Sequence, residues 1–378
     1  MEKTWVSIPD VLFFQEGPGV RNTQYTTEGV KLLNVANLVD GKIDLSTSDR
    51  YISEEEAYGK YKHFLCDAGD FIIASSGIKV EYIDKKMGFV DDTMLPLCMN
   101  TSTIRFKVLD EKKLRIRYFM YYLKSQNFKE QLFRHITGSA QLNYGPSHLK
   151  KMIMPLISVG KQDEIVACMD KVQNIIDMRQ QELVYLDGLI KARFVEMFGD
   201  PVSNSYGLSE ATLPKLGEFG RGVSKHRPRN DPRLLDGQYP LIQTGDIANA
   251  GLYITSYNST YSELGLQQSK MWNKGTLCIT IAANIAKTAI LEFDACFPDS
   301  VVGFVANERT NNIFIHYWFS FFQEMLESQA PESAQKNINL KILSELKVIV
   351  PEKEMQDEFA EFVRQIDKSK VVGHKIPE

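Results

Sequence analysis

The sequence predicts an α+β chain with an internal repeat. Two similar domains of mixed sheet and helix are each followed by a long helix, in a pseudo-two-fold layout. Three observations predict it. First, a segment recurs: Ser139-Ala140-Gln141-Leu142-Asn143 follows an aromatic run from Tyr118 to Leu123, and Ser333-Ala334-Gln335-Lys336-Asn337 follows one from Tyr317 to Phe322. Second, each copy continues through matched residues into an apolar-periodic helix: Leu149, Met152, Pro155 and Gln162 in one, Leu343, Leu346, Pro351 and Gln356 in the other. Third, strand-like runs precede the aromatic run in both. The period is roughly 200 residues, too long for a solenoid unit and long enough for a whole domain plus a helix.

The strands come first in each copy. Val30–Val35, a turn at Asp40-Gly41, Asp70–Ala74 and Thr103–Val108 form the first set. Tyr239–Gln243, Thr276–Ile281 and Val301–Val305 form the second, and Gly69-Asp70 matches Lys274-Gly275 before each middle strand. β-Branched and aromatic residues bounded by Gly, Asp and Asn carry this reading.

The first long helix is the best-defined element. Ile165, Met169, Val172, Ile176, Arg179, Leu183, Leu186, Ile190, Arg193 and Met197 step alternately by four and three, and only the two arginines are polar. A narrow heptad seam of this kind suits a coiled-coil partner better than a domain surface. Asp163 and Glu164 favour the positive end of the helix dipole, and Gly199-Asp200-Pro201 stops the run. From Lys161 to Phe198 the helix would be about 55 Å long. The second helix carries only the start of a seam, at Met355, Phe359, Phe362 and Ile366, before Gly373 and Pro377 oppose further helix. The expected division is a domain over 1–157, a proximal helix over 158–200, a second domain over 201–350 and a shortened distal helix over 351–378.

Composition excludes little but bounds the class. With 43% hydrophobic and 24% charged residues in a chain of 378, each half can bury its own core. No signal peptide or membrane-length apolar run is evident, and the five cysteines lack any Cys-x-x-Cys pair, so reduced thiols in a cytoplasmic protein are expected. The net charge of −4 gives nucleic-acid binding no general support, so such binding must rest on a local patch.

No catalytic constellation stands out. A phosphate loop is missing, Gly217–Gly222 does not sit between a strand and a helix as a dinucleotide site requires, and the six histidines show no metal-ligand spacing. There is also no Asn/Asp-Pro-Pro-Tyr/Phe motif of the kind an amino-methyltransferase uses. The expectation is a chain that catalyses nothing alone, holds no metal and binds no cofactor.

What remains is basic loops. Arg221, Lys225, His226, Arg227, Arg229 and Arg233 fall in one proline-studded stretch. Arginine pairs bidentately with guanine and neutralises phosphate, and prolines lower the cost of ordering a loop. A solvated loop without specific contacts is the plainer reading. At the same stage of the first copy come Arg21 and Asn22, followed later by Lys60 and Lys62 beside Tyr61. The loops after the middle strands add Ser75, Ser76 and Lys79 in one copy and Asn284 and Lys287 in the other, with small residues that permit close approach. The Ser-Ala-Gln-x-Asn segments fit either adenine readout or satisfaction of exposed backbone groups.

These residues resemble a known family. Gly138–Gln141, Met154-Pro155-Leu156, Gln162–Val166, Leu183 and the exit Phe194–Pro201 with its Phe-Gly-Asp-Pro are similar to the central region of type I restriction-modification specificity (S) subunits. The two-copy layout extends the resemblance over nearly the whole chain; Ser158, where the family tends to repeat a proline, departs from it. The resemblance implies a non-catalytic DNA reader in which two target-recognition domains each contact half of a bipartite double-stranded site. The spacer helices would pack antiparallel and set the gap. Their seam residues would be Ile165, Met169, Val172, Ile176, Leu183, Leu186, Ile190 and Met197 against Phe359, Phe362 and Ile366. Two methyltransferase (modification) subunits with S-adenosylmethionine, and a restriction subunit with ATP and Mg, would complete the complex. The short distal helix is read either as that of a phase-variable allele or as an artificially cut end, leaving Leu186 and Ile190 exposed and favouring self-dimerisation. The rival expectations are a silent cassette acting as a scaffold that no longer reads DNA, and a self-contained enzyme with an unfamiliar site. Alanine at Arg227 and Arg229 separates the first from a DNA reader; turnover by the chain alone would mark the second.

Overall fold

A computed structural model describes residues 4–135, 142–282, 285–329 and 340–372. The chain forms two compact units, residues 1–176 and 177–378, which divide within one helix, Val159–Phe198.

The first unit is organised around an antiparallel four-stranded sheet in the order Leu12–Glu16, Thr103–Val108, Phe71–Ala74, Met87–Phe89. Its central strands are buried on both faces, which explains the near-continuous apolar run Phe71-Ile72-Ile73-Ala74. Phe71, Phe106, Phe119 and Phe128 form a chain of ring contacts joining the sheet to helices Ile116–Lys124 and Gln126–His135. A small three-stranded sheet sets Val30–Leu33 between Leu97–Met99 (parallel) and Tyr51–Ile52 (antiparallel). The unit closes on itself, because its first strand, Thr4–Ser7, pairs with Ile153–Leu156 just before the long helix.

The second unit repeats this plan. Its main sheet runs Gly217–Arg221, Val301–Ala306, Leu277–Thr280, Thr288–Leu291, with Tyr253–Ile254 added as a parallel edge. Leu235–Leu241 sits between a parallel and an antiparallel neighbour, as Val30–Leu33 does. Glu210–Thr212 pairs with Lys347–Ile349 to close the unit. The sequence match of Gly69-Asp70 with Lys274-Gly275 is shifted by one residue: Gly69 and Gly275 both take the left-handed conformation, at φ 83° and 89°, and donate their N–H to the carbonyls of Val90 and Leu291.

Two glutamines show why each helix starts where it does. Gln162 is fully buried; its amide nitrogen donates to the carbonyls of Lys113 and Ile157, and its Oε1 accepts from the Arg115 N–H. Gln356, equally buried, donates to Arg309 and Pro351 and accepts from the Thr310 hydroxyl. Both satisfy a carbonyl five residues back, so Pro351 corresponds to Ile157 and not to Pro155, which lies within the strand Ile153–Leu156. The sequence pairing of the two prolines is corrected accordingly.

Within the second unit, residues 177–198 of the long helix run antiparallel to the closing helix Lys353–Val372. Arg193 bonds Glu358, Lys370 pairs with Asp187, and Arg179 reaches the carbonyls of Ser369 and Lys370, so rising numbers on one helix meet falling numbers on the other. Phe194 packs against Phe198, Phe314, Phe321 and Phe359 at ring separations of 5.0–5.3 Å. Ile190 belongs to this core and is fully buried, while Leu183 and Leu186 are half-buried. The expectation that a short distal helix leaves Ile190 exposed is therefore wrong: Ile190 is fully buried, in a core that includes residues of the closing helix and of the aromatic helix Asn312–Gln329. The stripe that stays uncovered within the first unit is Met169, Val172, Ile175 and Ile176; Ile165, nearer the helix start, packs on the first core.

Candidate nucleic-acid interface

Antiparallel pairing sorts the candidate loops. In the first unit Glu16, Ala74 and Thr103 end or begin adjacent strands at one end of the main sheet, since Ile104 faces Glu16 and Thr103 faces Ala74. Ser75, Ser76 and Lys79 leave the sheet there, beside Gly17, where a Cβ would come within 2.0 Å of the Asn100 carbonyl. In the second unit Arg221 faces Val302 and Thr280 faces Val301, so Arg221 and the turn leading to Lys287 leave the sheet at the corresponding end. The Thr280 N–H donates to the Lys287 carbonyl across that turn and the Lys287 N–H donates to the Thr280 hydroxyl; Asn284 lies outside the described residues.

Arg21 and Asn22 are brought to Lys60 and Lys62 by one side chain. Gln24 accepts from the Arg21 N–H at 3.0 Å and donates to Glu56 and the Tyr61 hydroxyl at 2.6 and 3.0 Å. Tyr61 itself is buried, with the Lys60 ammonium 4.9 Å from its ring centre, so it supports the lysines and offers no face to a base. Arg105, almost fully buried, fixes the same loop from below by donating to the carbonyls of His63 and Leu65 and pairing with Asp70. These partners lie 35 to 42 residues away, and Gln15, which also accepts from Arg105, lies 90 away, too far for any local motif to reveal. Arg21, Asn22, Lys60, Lys62 and Lys79 are exposed; Ser76 is half-buried. Ser75 is 1% exposed, donates its N–H to Ser102 and accepts from Tyr144, so it is a structural residue and leaves the candidate set.

The second-unit loop is less free than its composition suggests. Its start is pinned to the turn before Val301: Gly222 donates to the Val301 carbonyl and Val223 to Phe297. A Cβ on Gly222 would fall 2.3 Å from the Phe297 oxygen. Arg227 and Arg229 both pair with Asp299, and Arg233 and His226 both pair with Asp231. The Arg233 guanidinium and its backbone N–H hold the Asp231 carboxyl far below the usual carboxylate range. Arg221 and Lys225 are exposed, and no acidic partner is seen for either side chain among the described residues. Of this loop's basic side chains, these two present uncompensated charge; the paired arginines must exchange an aspartate for a phosphate or base. Asp231 and Asp299 escape a sequence reading because nothing local ties Asp299 to Arg229, 70 positions earlier.

Elsewhere the chemistry is quiet. Cys66, Cys98, Cys278 and Cys296 are free and buried and Cys168 is free and exposed; burial pushes the Cys66 and Cys98 thiols up to about 12. Among the described residues no group of three or more His, Cys, Asp or Glu could hold a metal, and no helix is long and apolar enough to cross a membrane.

Known proteins share this architecture. The family model described as type I restriction modification DNA specificity domain matches twice, over residues 24–186 and 210–377. A specificity subunit of type I restriction enzyme MjaX from Methanocaldococcus jannaschii is 21% identical over 353 residues, 90% of this chain and 80% of that one. The MjaVIII specificity subunit of the same organism is 24% identical over 181 residues, 47% of this chain and 41% of that one. Among solved structures, the S subunit of a type I restriction-modification system from M. genitalium gives a TM-score of 0.54 at 16% identity, covering 99% of this chain and 91% of that one. A structure from work on complex assembly and conformational transition of the type I R-M system gives 0.55 at 15% identity, covering 98% and 91%.

Proposed function

The chain belongs to the type I restriction-modification DNA specificity family and is a non-catalytic, DNA-recognising subunit; on that premise we propose that its two units read the two halves of one bipartite target. The observation that carries the proposal is duplication with divergence. The same strand order occurs twice, and the side chains assigned to reading differ: Arg21, Asn22, Lys60, Lys62, Ser76 and Lys79 in the first copy, Arg221, Lys225, the Asp-paired arginines and Lys287 in the second. A conserved frame with different side chains at the reading end suits two different half-sites. The recognition domains are assigned to 1–157 and 201–350, and the long helix to setting the unspecified gap between half-sites.

S-adenosylmethionine and ATP belong to the modification and restriction subunits. The uncovered stripe Met169, Val172, Ile175 and Ile176 is assigned to docking the modification subunits, since a contiguous apolar strip on a charged helix is costly to leave in water. Self-dimerisation has less to rest on than the sequence suggested, because Ile190 is buried; sedimentation of the isolated chain tests it.

The test is selection from a randomised duplex pool by the chain assembled with its modification subunits. Enrichment of two short specified stretches separated by a fixed unspecified gap is expected, and Arg221→Ala with Lys225→Ala should relax only one of the two. Enrichment of a single continuous motif, or of none, would overturn the proposal.

A further inference from the structure

Asp299 lies against the second unit's basic loop and carries the opposite sign to the arginines that the loop offers DNA. It sits in the turn Phe297–Ser300, where the Val301 N–H donates to Pro298, and this turn is bonded to the base of the loop through Gly222 and Val223. Its two carboxylate oxygens receive one arginine each, Arg229 on Oδ1 and Arg227 on Oδ2, the latter at 3.5 Å. Arg227 is further held by the carbonyls of Ser224 and His226. All three charged groups are partly in solvent, with side-chain exposures of 47%, 55% and 35% for Arg229, Arg227 and Asp299. Exposed ion pairs of this kind are weak, so the arginines can be surrendered to another acceptor.

Resting on the reading of this loop as a DNA interface, we infer that Asp299 is a specificity-determining residue that suppresses non-specific backbone binding. A phosphate approaching Arg227 and Arg229 meets a carboxylate that already holds one terminal nitrogen, Nη2, of each guanidinium. It must displace that carboxylate and then lie beside it, two like charges in one place. Contact with any phosphate therefore gains little, because one acceptor is exchanged for another and a repulsion is added. A base edge is different: guanine O6 and N7 present uncharged acceptors that an arginine can engage bidentately without bringing a negative charge to Asp299, and a cytosine amino group can donate to Asp299 itself. The carboxylate thus lowers affinity for the backbone more than affinity for the right base pair, and specificity is the difference between the two.

The experiment compares wild type, Asp299→Asn, Asp299→Glu and the double variant Arg227→Ala/Arg229→Ala. All are full-length chains assembled with the modification subunits and titrated with a random-sequence duplex over a range of KCl. Asp299→Asn is expected to bind this duplex about three- to tenfold more tightly at low salt, with a salt slope steeper by about one to two, as befits one or two newly engaged phosphates. Its motif selected from a randomised pool should lose information at the second-unit half-site alone. Asp299→Glu, which keeps the charge, should stay near wild type. Unchanged or weaker random-duplex binding by Asp299→Asn, while Arg227→Ala/Arg229→Ala still weakens target binding, would overturn this role and leave the loop as the interface. If the double variant binds its selected target as wild type does, the loop is not the interface and the inference falls with it.

Discussion

The Arg179 guanidinium donates to the backbone carbonyl of Lys370 at 3.0 Å, and the same nitrogen reaches the Ser369 carbonyl at 3.1 Å. These carbonyls belong to the last turn of the closing helix Lys353–Val372, where helix carbonyls have no intrahelical donor. A cation there is favoured twice, by hydrogen bonding and by the negative end of the helix dipole. Arg179 interrupts the apolar seam because the partner helix ends opposite it. Asp187 receives Lys370 about two turns further along the long helix, which fixes the register. Arg179→Ala should destabilise the second unit by about 1–2 kcal/mol, the usual cost of a lost charge-assisted bond. Faster amide exchange confined to residues near 366–372 is the expected signature; unchanged exchange there would mean the contact does not hold the helix end.

Gln162 and Gln356 perform one task in two places, so their loss should cost the two units alike. Each alanine variant strands two carbonyls and one donor in the interior, at about 1–3 kcal/mol per site. Denaturant unfolding followed by hydrogen exchange should place the Gln162→Ala loss in the first unit and the Gln356→Ala loss in the second. Equal loosening of both units by either variant would contradict this.

The repeat was legible in the sequence because its markers are structural. Leu149 and Leu343 are both buried, Gly69 and Gly275 both turn with positive φ, and the two glutamines both lock a helix start. The long helix was legible because a heptad seam is a local pattern. The site was less so, since free charge is a tertiary property. Nothing beside Arg227 or Arg229 announces Asp299, and nothing beside Ser75 announces that Tyr144 and Ser102 cover it. The burial of Ile190 is hidden for the same reason: its core draws on the helix Asn312–Gln329 as well as on the closing helix.

Arg221 and Lys225 carry the uncompensated charge of the second-unit loop. Alanine at each should weaken binding to any duplex and reduce the salt slope by about one per residue, because each loses one phosphate contact. Titration over a range of KCl checks this. A slope unchanged in both variants would remove them from the interface.

His316 makes the second unit acid-sensitive. Burial, aided by the nearby Lys370 charge, pulls its pKa from 6.5 to about 4, and its Nδ1 lies 2.9 Å from the Thr288 hydroxyl. The unfolded chain binds this proton more readily than the folded one, so stability from His316 is fully present above about 6.5 and is lost as pH falls towards about 4. The expected result is a declining denaturation midpoint across that window, with the decline reduced in His316→Gln. Equal slopes in both proteins would exclude His316 as the cause.

The most direct test of the central claim is a map of methylated adenines in the host genome, read by single-molecule sequencing with and without this gene. Loss of methylation at one motif made of two specified halves and a fixed gap is the expected result, and it gives the target in the same experiment. An unchanged map would contradict the assignment of a bipartite DNA target to the two strand-end faces.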